Sequence, residues 1–146
     1  MTEAFDRKPA ELANDIKASV VSGGSAYRAE QGPDYLPGIS SETVGSKALW
    51  LGIVTLAPGQ RTKAHVHARH ETAFYLMSGD RVELWSGDRL QHCDVARPGD
   101  YLFIPPNVLH VAVNRSESTA TFVGSRNEPT AQESLVMHPE MDEKVP

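Results

Sequence analysis

The sequence predicts an all-β domain. From Lys47 onward, runs rich in β-branched and aromatic residues recur at roughly ten-residue spacing, the texture of a sandwich or barrel. Turn clusters punctuate those runs: Pro58-Gly59, Ser78-Gly79-Asp80, Ser86-Gly87-Asp88 and Arg97-Pro98-Gly99-Asp100. Ten prolines and eleven glycines in 146 residues suit many short strands better than long helices.

The elements follow in order. Residues 1–45 carry little strand pattern and read as an N-terminal arm. Within it, Leu12 and Ile16 stand four apart behind Pro9, which predicts a short helix over 9–17. Gln31-Gly32-Pro33-Asp34 and Leu36-Pro37-Gly38 are loop chemistry, with Tyr35, Leu36 and Ile39 apolar enough to pack on the domain or on a partner subunit. Strands are expected at 48–56, 72–77, 81–85, 90–95, 101–104, 109–113 and 119–123, about eight in all, so the barrel spans residues 46–126. The Gly87-Asp88 pair between two of them reads as a hairpin. Residues 127–146 are polar, carry Pro129 and Pro139, and are expected to form a surface tail.

Composition bounds the function. The length fits one domain with a single core. A net charge of −5 argues against nucleic acid or an anionic membrane as the main partner. The N-terminus has no apolar signal region, and the longest apolar-rich run is about half of what a membrane helix needs. A lone cysteine, Cys93, fits a reducing compartment and is expected to be a small buried hydrophobe. The expected location is cytoplasmic.

The chemistry lies in 59–79. His65 and His67 sit two apart, so on a strand they face the same way. Glu71 has the same parity and joins them if 68–70 stays extended or turns briefly. Two imidazoles and a carboxylate on one face are ligands for a first-row transition metal. A second stretch, 99–114, adds His110 at the start of a strand. His70 should face the opposite way. His92, mid-strand, and Tyr75, of Glu71's parity, are candidates for acid–base roles. His138 and Arg81, Arg89 and Arg97 are expected in solvent, and Trp50 and Trp85 in the core or an interface.

These two stretches resemble the cupin superfamily, in particular its small single-domain bacterial members. The first family motif is Gly, five residues, His-x-His, three or four residues, Glu, six residues, Gly. Here Gly59, His65-Val66-His67 and Glu71 keep that spacing, and seven residues instead of six precede Gly79. The extra residue is expected to alter a hairpin and leave the site alone. The second motif is Gly, five residues, Pro-x-Gly, two residues, His, three residues, Asn. Gly99, Pro105-Pro106-Asn107, His110 and Asn114 keep every spacing, with Asn107 where Gly is usual. Asn is among the few residues that tolerate left-handed angles there.

The resemblance implies a jelly-roll β-barrel with a metal in its mouth, held by His65, His67, Glu71 and His110. Three imidazoles and a carboxylate suit Mn, Fe, Co, Ni, Cu or Zn. The implied function is metal-dependent isomerisation or lysis of a small sugar, sugar phosphate or keto acid. An Fe(II)-dependent dioxygenase and a non-catalytic small-molecule or metal-binding module are the alternatives. Pairing into a homodimer through an outer sheet face is also implied.

Overall fold

The computed structural model describes residues 11–13 and 15–146. Eleven strands form two antiparallel sheets: β1 (Tyr27–Arg28), β2 (Asp34–Ile39), β3 (Trp50–Leu56), β4 (His65–His67), β5 (Thr72–Ser78), β6 (Val82–Ser86), β7 (His92–Ala96), β8 (Tyr101–Ile104), β9 (His110–Val113), β10 (Ala120–Arg126) and β11 (Leu135–Met137). The first sheet has the order β1-β2-β3-β10-β5-β8, the second β11-β4-β9-β6-β7. Two facing sheets with these crossovers are a jelly roll.

Period-two alternation builds the core. In β10, Ala120, Phe122, Gly124 and Arg126 point inward. Tyr35, Trp50, Val54, Leu56, Leu76, Leu102 and Phe122 from the first sheet meet Val82 and Ala96 from the second. Each large side chain fully buried there contributes roughly 1.5–3 kcal/mol. Gly124 is small for a reason: a Cβ at that position would lie 2.7 Å from the ring of Phe74. The Pro105-Pro106-Asn107 loop turns at Asn107, whose φ of 61° is left-handed, and its N–H is held by the carbonyl of His67. Asn114 is a fully buried staple. Its Nδ2 donates to the carbonyls of Leu56, Ala57 and Ser118, and its Oδ1 accepts from Ser116.

Four expectations need correction. The segment 1–45 is more than an arm, because β2 pairs along β3 and buries Tyr35. A bulge between Pro37 and Ile39 lets proline sit in that strand. Ser40 then caps a one-turn helix, α1 (Ser41–Val44), through Thr43. Of the helix expected over 9–17, positions 9, 10 and 14 lie outside the described residues, and the described ones there are not helical.

The segment 127–146 is not a solvated tail. β11 pairs with β4, and a short 3-10 helix (Pro139–Lys144) covers the outer face of the second sheet. The cause is apolar: Val66 and Val111 point away from the first sheet, and Met141 and Val145 cover them. Polar ties hold this cover in place. Asp142 accepts from the Ala64 N–H at 2.6 Å, and Arg61 donates to the carbonyls of Val145 and Pro146. Cys93 is exposed, because in β7 it lies on an edge strand. Among the described residues no helix is long and apolar enough to cross a membrane.

Candidate metal centre

His65 and His67 sit on β4 and His110 starts β9, directly opposite His65 in the ladder. Strand alternation turns all three into the space between the sheets. Their ring centroids are 4.2 Å apart for His65–His110, 5.2 Å for His65–His67 and 5.9 Å for His67–His110. One nitrogen from each ring lies within 4.8 Å of the others, a spacing that a single ion can bridge. All three are buried.

The tautomers are set by the backbone. Nδ1 of His65 is 2.6 Å from the Lys63 carbonyl, and Nδ1 of His110 is 2.9 Å from the Val108 carbonyl. A carbonyl only accepts, so each Nδ1 carries the proton and each Nε2 keeps its lone pair. His67 has neither ring nitrogen partnered, although both are buried. Buried polar atoms without partners are rare, and a bound cation would satisfy this one.

Electrostatics keep the rings neutral. Burial lowers His65 well below the ordinary imidazole range, and His110 lowers it further. His67 falls in the same direction through burial and then the nearby Arg126. Burial pulls His110 down to about 4. Neutral imidazoles are the metal-binding form. The residues therefore fit a divalent transition ion.

Glu71, the expected fourth ligand, is not with them. It is exposed, and its N–H is held by Asn127 Oδ1. Thr72, its neighbour, is the buried residue that starts β5 and faces inward, in step with Leu76. The signal was in the spacing. With six residues between it and Gly79, the family's carboxylate position falls on Thr72, and the ladder of β5 with β10 has its irregularity at Met77, between Leu76 and Ser78, beside the hairpin. A one-residue slip moves a side chain to the other face of a strand.

Inside the barrel, Thr72 meets Arg126, which sequence reasoning passed over. Arg126 ends β10 and is 3% exposed. Its Nε donates to Thr72 Oγ1 at 3.0 Å and its Nη2 to the Tyr35 hydroxyl at 3.1 Å. The guanidinium stacks near Tyr35, Trp50 and Phe74, 5.7–5.9 Å from their ring centroids. Nη1 has no partner. The strict alternation of β10 places this cation inward, and the same alternation in the sequence was the available clue.

A cavity of about 40 Å³ lies beside the histidines. Gln31, Tyr35, Thr62, His65, His110 and Arg126 are its polar residues, and Phe74, Leu102 and Phe122 are among its apolar ones. Tyr75 and His92 do not line it. Tyr75 lies on the outer face against Tyr101, and His92 is exposed on β7. Tyr35 is the cavity's phenol, and its oxygen accepts from Gln31 Nε2 at 2.7 Å as well as from Arg126. His70 is half-buried, with Nδ1 2.6 Å from Ser134 Oγ and 2.9 Å from the buried carboxylate of Glu128.

Comparison with known proteins agrees with this architecture. The family model described as the Cupin domain matches residues 52–124, and the chain belongs to that family. No curated protein matches in sequence. A conserved protein with a double-stranded β-helix domain from Klebsiella pneumoniae superposes with a TM-score of 0.60 at 17% identity, covering 76% of this chain and 88% of that one. A cupin 2 conserved barrel domain protein from Salinispora arenicola gives 0.58 at 19% identity, over 77% and 89%. Oxalate oxidase in complex with glycolate gives 0.63 at 22% identity, over 90% and 69%. At these identities the likeness is one of fold.

Proposed function

We propose that this cupin holds one divalent transition-metal ion on His65, His67 and His110 and acts on a small oxygenated metabolite in the adjoining cavity. The observation that carries the reading is the convergence of three lone-pair-bearing imidazole nitrogens beside a buried pocket with a phenol and a guanidinium. The bound ion would supply Lewis-acid polarisation of a substrate oxygen.

The reaction class we favour is a non-redox isomerisation or lysis. Such chemistry needs a group that exchanges a proton with the substrate. Tyr75 and His92 are outside the cavity, and the Tyr35 hydroxyl takes that place. Its oxygen is fixed by two donors, Gln31 and Arg126, which leaves its own proton directed away from both. A second reading, Fe(II)-dependent dioxygenation, draws on the three-imidazole set, which leaves more open positions than four protein ligands would.

Turnover of small hydroxy and keto acids, assayed with Mn, Zn and Fe(II) in the presence and absence of oxygen, separates the two. Product without oxygen supports the first. Product only with iron and oxygen supports the second. Metal bound with no product from any substrate would reduce the protein to a binding module.

The same reading includes a homodimer. One apolar row crosses five strands on the outer face of the first sheet: Leu36, Ile53, Val123, Tyr75 and Tyr101 are successive ladder partners. Tyr101 is 80% exposed, with Phe103 and Met77 beside it. A contiguous apolar face of this kind suits a second copy.

A further inference from the structure

We propose that Arg126 is a carboxylate receptor, so that the metabolite in the cavity is a small organic acid. The inference rests on the metal-centre reading for what happens to that acid, and on Arg126 alone for its binding.

A guanidinium stays charged at any pH a protein meets. Burying one without a counter-ion is costly. Among the described residues no carboxylate pairs with Arg126. Glu128, also fully buried, lies within reach of the Arg126 charge but makes no ion pair with it; His70 Nδ1 is 2.9 Å from its carboxylate, and neither of its oxygens accepts a hydrogen bond. Thr72 and Tyr35 each take one of the guanidinium's five N–H groups. Nη1 is left with none of its hydrogens used, and Nη2 keeps one. Those remaining donors form the fork that fits the two oxygens of a carboxylate.

The site lacks negative charge for another reason. Its three imidazoles are neutral ligands, and Glu71 points to solvent. No carboxylate residue is among the groups lining the cavity, so the Arg126 guanidinium meets no negative charge there. An anionic ligand supplies the missing charge.

Size and polarity select the anion. About 40 Å³ is room for roughly three waters, so the ligand has few heavy atoms. A phosphate would place further charged oxygens against Phe74, Leu102 and Phe122, with one cation to serve them. A carboxylate uses the fork and leaves its organic part to the apolar wall.

The test is a titration of metal-free protein, followed by the ¹⁵N–¹H resonance of the Arg126 Nε group. Propionate, propionamide and inorganic phosphate are the probes. Propionate is expected to shift that resonance and to bind at least tenfold more tightly than the other two. Arg126→Gln, followed by the displaced ligand's own signals, is expected to lose at least tenfold in propionate affinity. Equal binding of propionate and propionamide to the wild type overturns the proposal, and that comparison needs no variant to fold. Equal binding by Arg126→Gln also overturns it. His67→Ala separates the two readings. If the wild type takes up no more metal than His67→Ala while propionate binds both, the metal reading falls and the carboxylate receptor stands. Metal uptake by the wild type with no propionate binding does the reverse.

Discussion

Arg126 donates from Nε to Thr72 Oγ1 at 3.0 Å, inside the barrel, one residue along from the Glu71 expected as a ligand carboxylate. The pair inverts the expected electrostatics of the site. A threonine hydroxyl and a guanidinium occupy the inward end of β5 and β10, and the acid that motif spacing pointed to is on the opposite face.

Metal content distinguishes the two positions. Elemental analysis of purified protein should show that Glu71→Ala retains the metal of the wild type. His67→Ala should lose it by at least tenfold. Loss of metal in Glu71→Ala would place the carboxylate back in the coordination sphere.

Protonation of the buried imidazoles should limit stability in acid. His110 has a folded pKa of about 4 against an ordinary 6.5, with burial as the main cause. A group with a depressed folded pKa contributes stability fully present above its unfolded pKa, here 6.5. That stability is lost as pH falls from 6.5 through about 4. For His110 the change is on the order of 3 kcal/mol, and His65 and His67 act in the same direction. Chemical denaturation of chelator-treated protein between pH 7 and 4 should show the decline. His110→Gln should make it shallower, and an unchanged slope would count against the assignment.

Tyr35 joins stability to function. Tyr35→Phe leaves the Gln31 amide and one Arg126 N–H without an acceptor in a buried site. The expected destabilisation is about 1–3 kcal/mol, read from denaturant midpoints. Where an isomerase or lyase activity has been found, this variant should lower kcat with metal content unchanged. Full kcat in Tyr35→Phe would remove the phenol from the proton transfer.

The outer face of the first sheet predicts the assembly. Light scattering of the wild type should give a dimer mass. Tyr101→Glu combined with Phe103→Glu should shift it to monomer, with the far-ultraviolet dichroism of the fold retained. A wild-type monomer would dispose of the pairing.

Much of this was legible in the sequence because strands advertise themselves by alternation and turn chemistry. Tyr101–Ile104 falls at its expected bounds, and three of the four expected ligands converge. What was hidden has physical causes. β2 contains Pro37 and Gly38 and reads as loop, and a bulge accommodates them. β11 is three residues in a polar segment, too short for a period to show. Glu71 failed on parity. Its spacing from His67 falls within the family's range, while its spacing to Gly79 is one too long, and Thr72 takes the inward place in step with Leu76. Arg126 was missed because the strand was expected to end at 123 and a cation beyond it is ordinarily solvated; the alternation of β10 runs on to Arg126 and turns it inward, between β3 and β5.

His65 and His110 are each oriented by a carbonyl two residues earlier, at Lys63 and Val108. Because the acceptors belong to the main chain, the side chains at 63 and 108 do not decide which nitrogen of each ring is left free. The orientation of these two imidazoles is thus written into the backbone, apart from the residues that line the cavity wall.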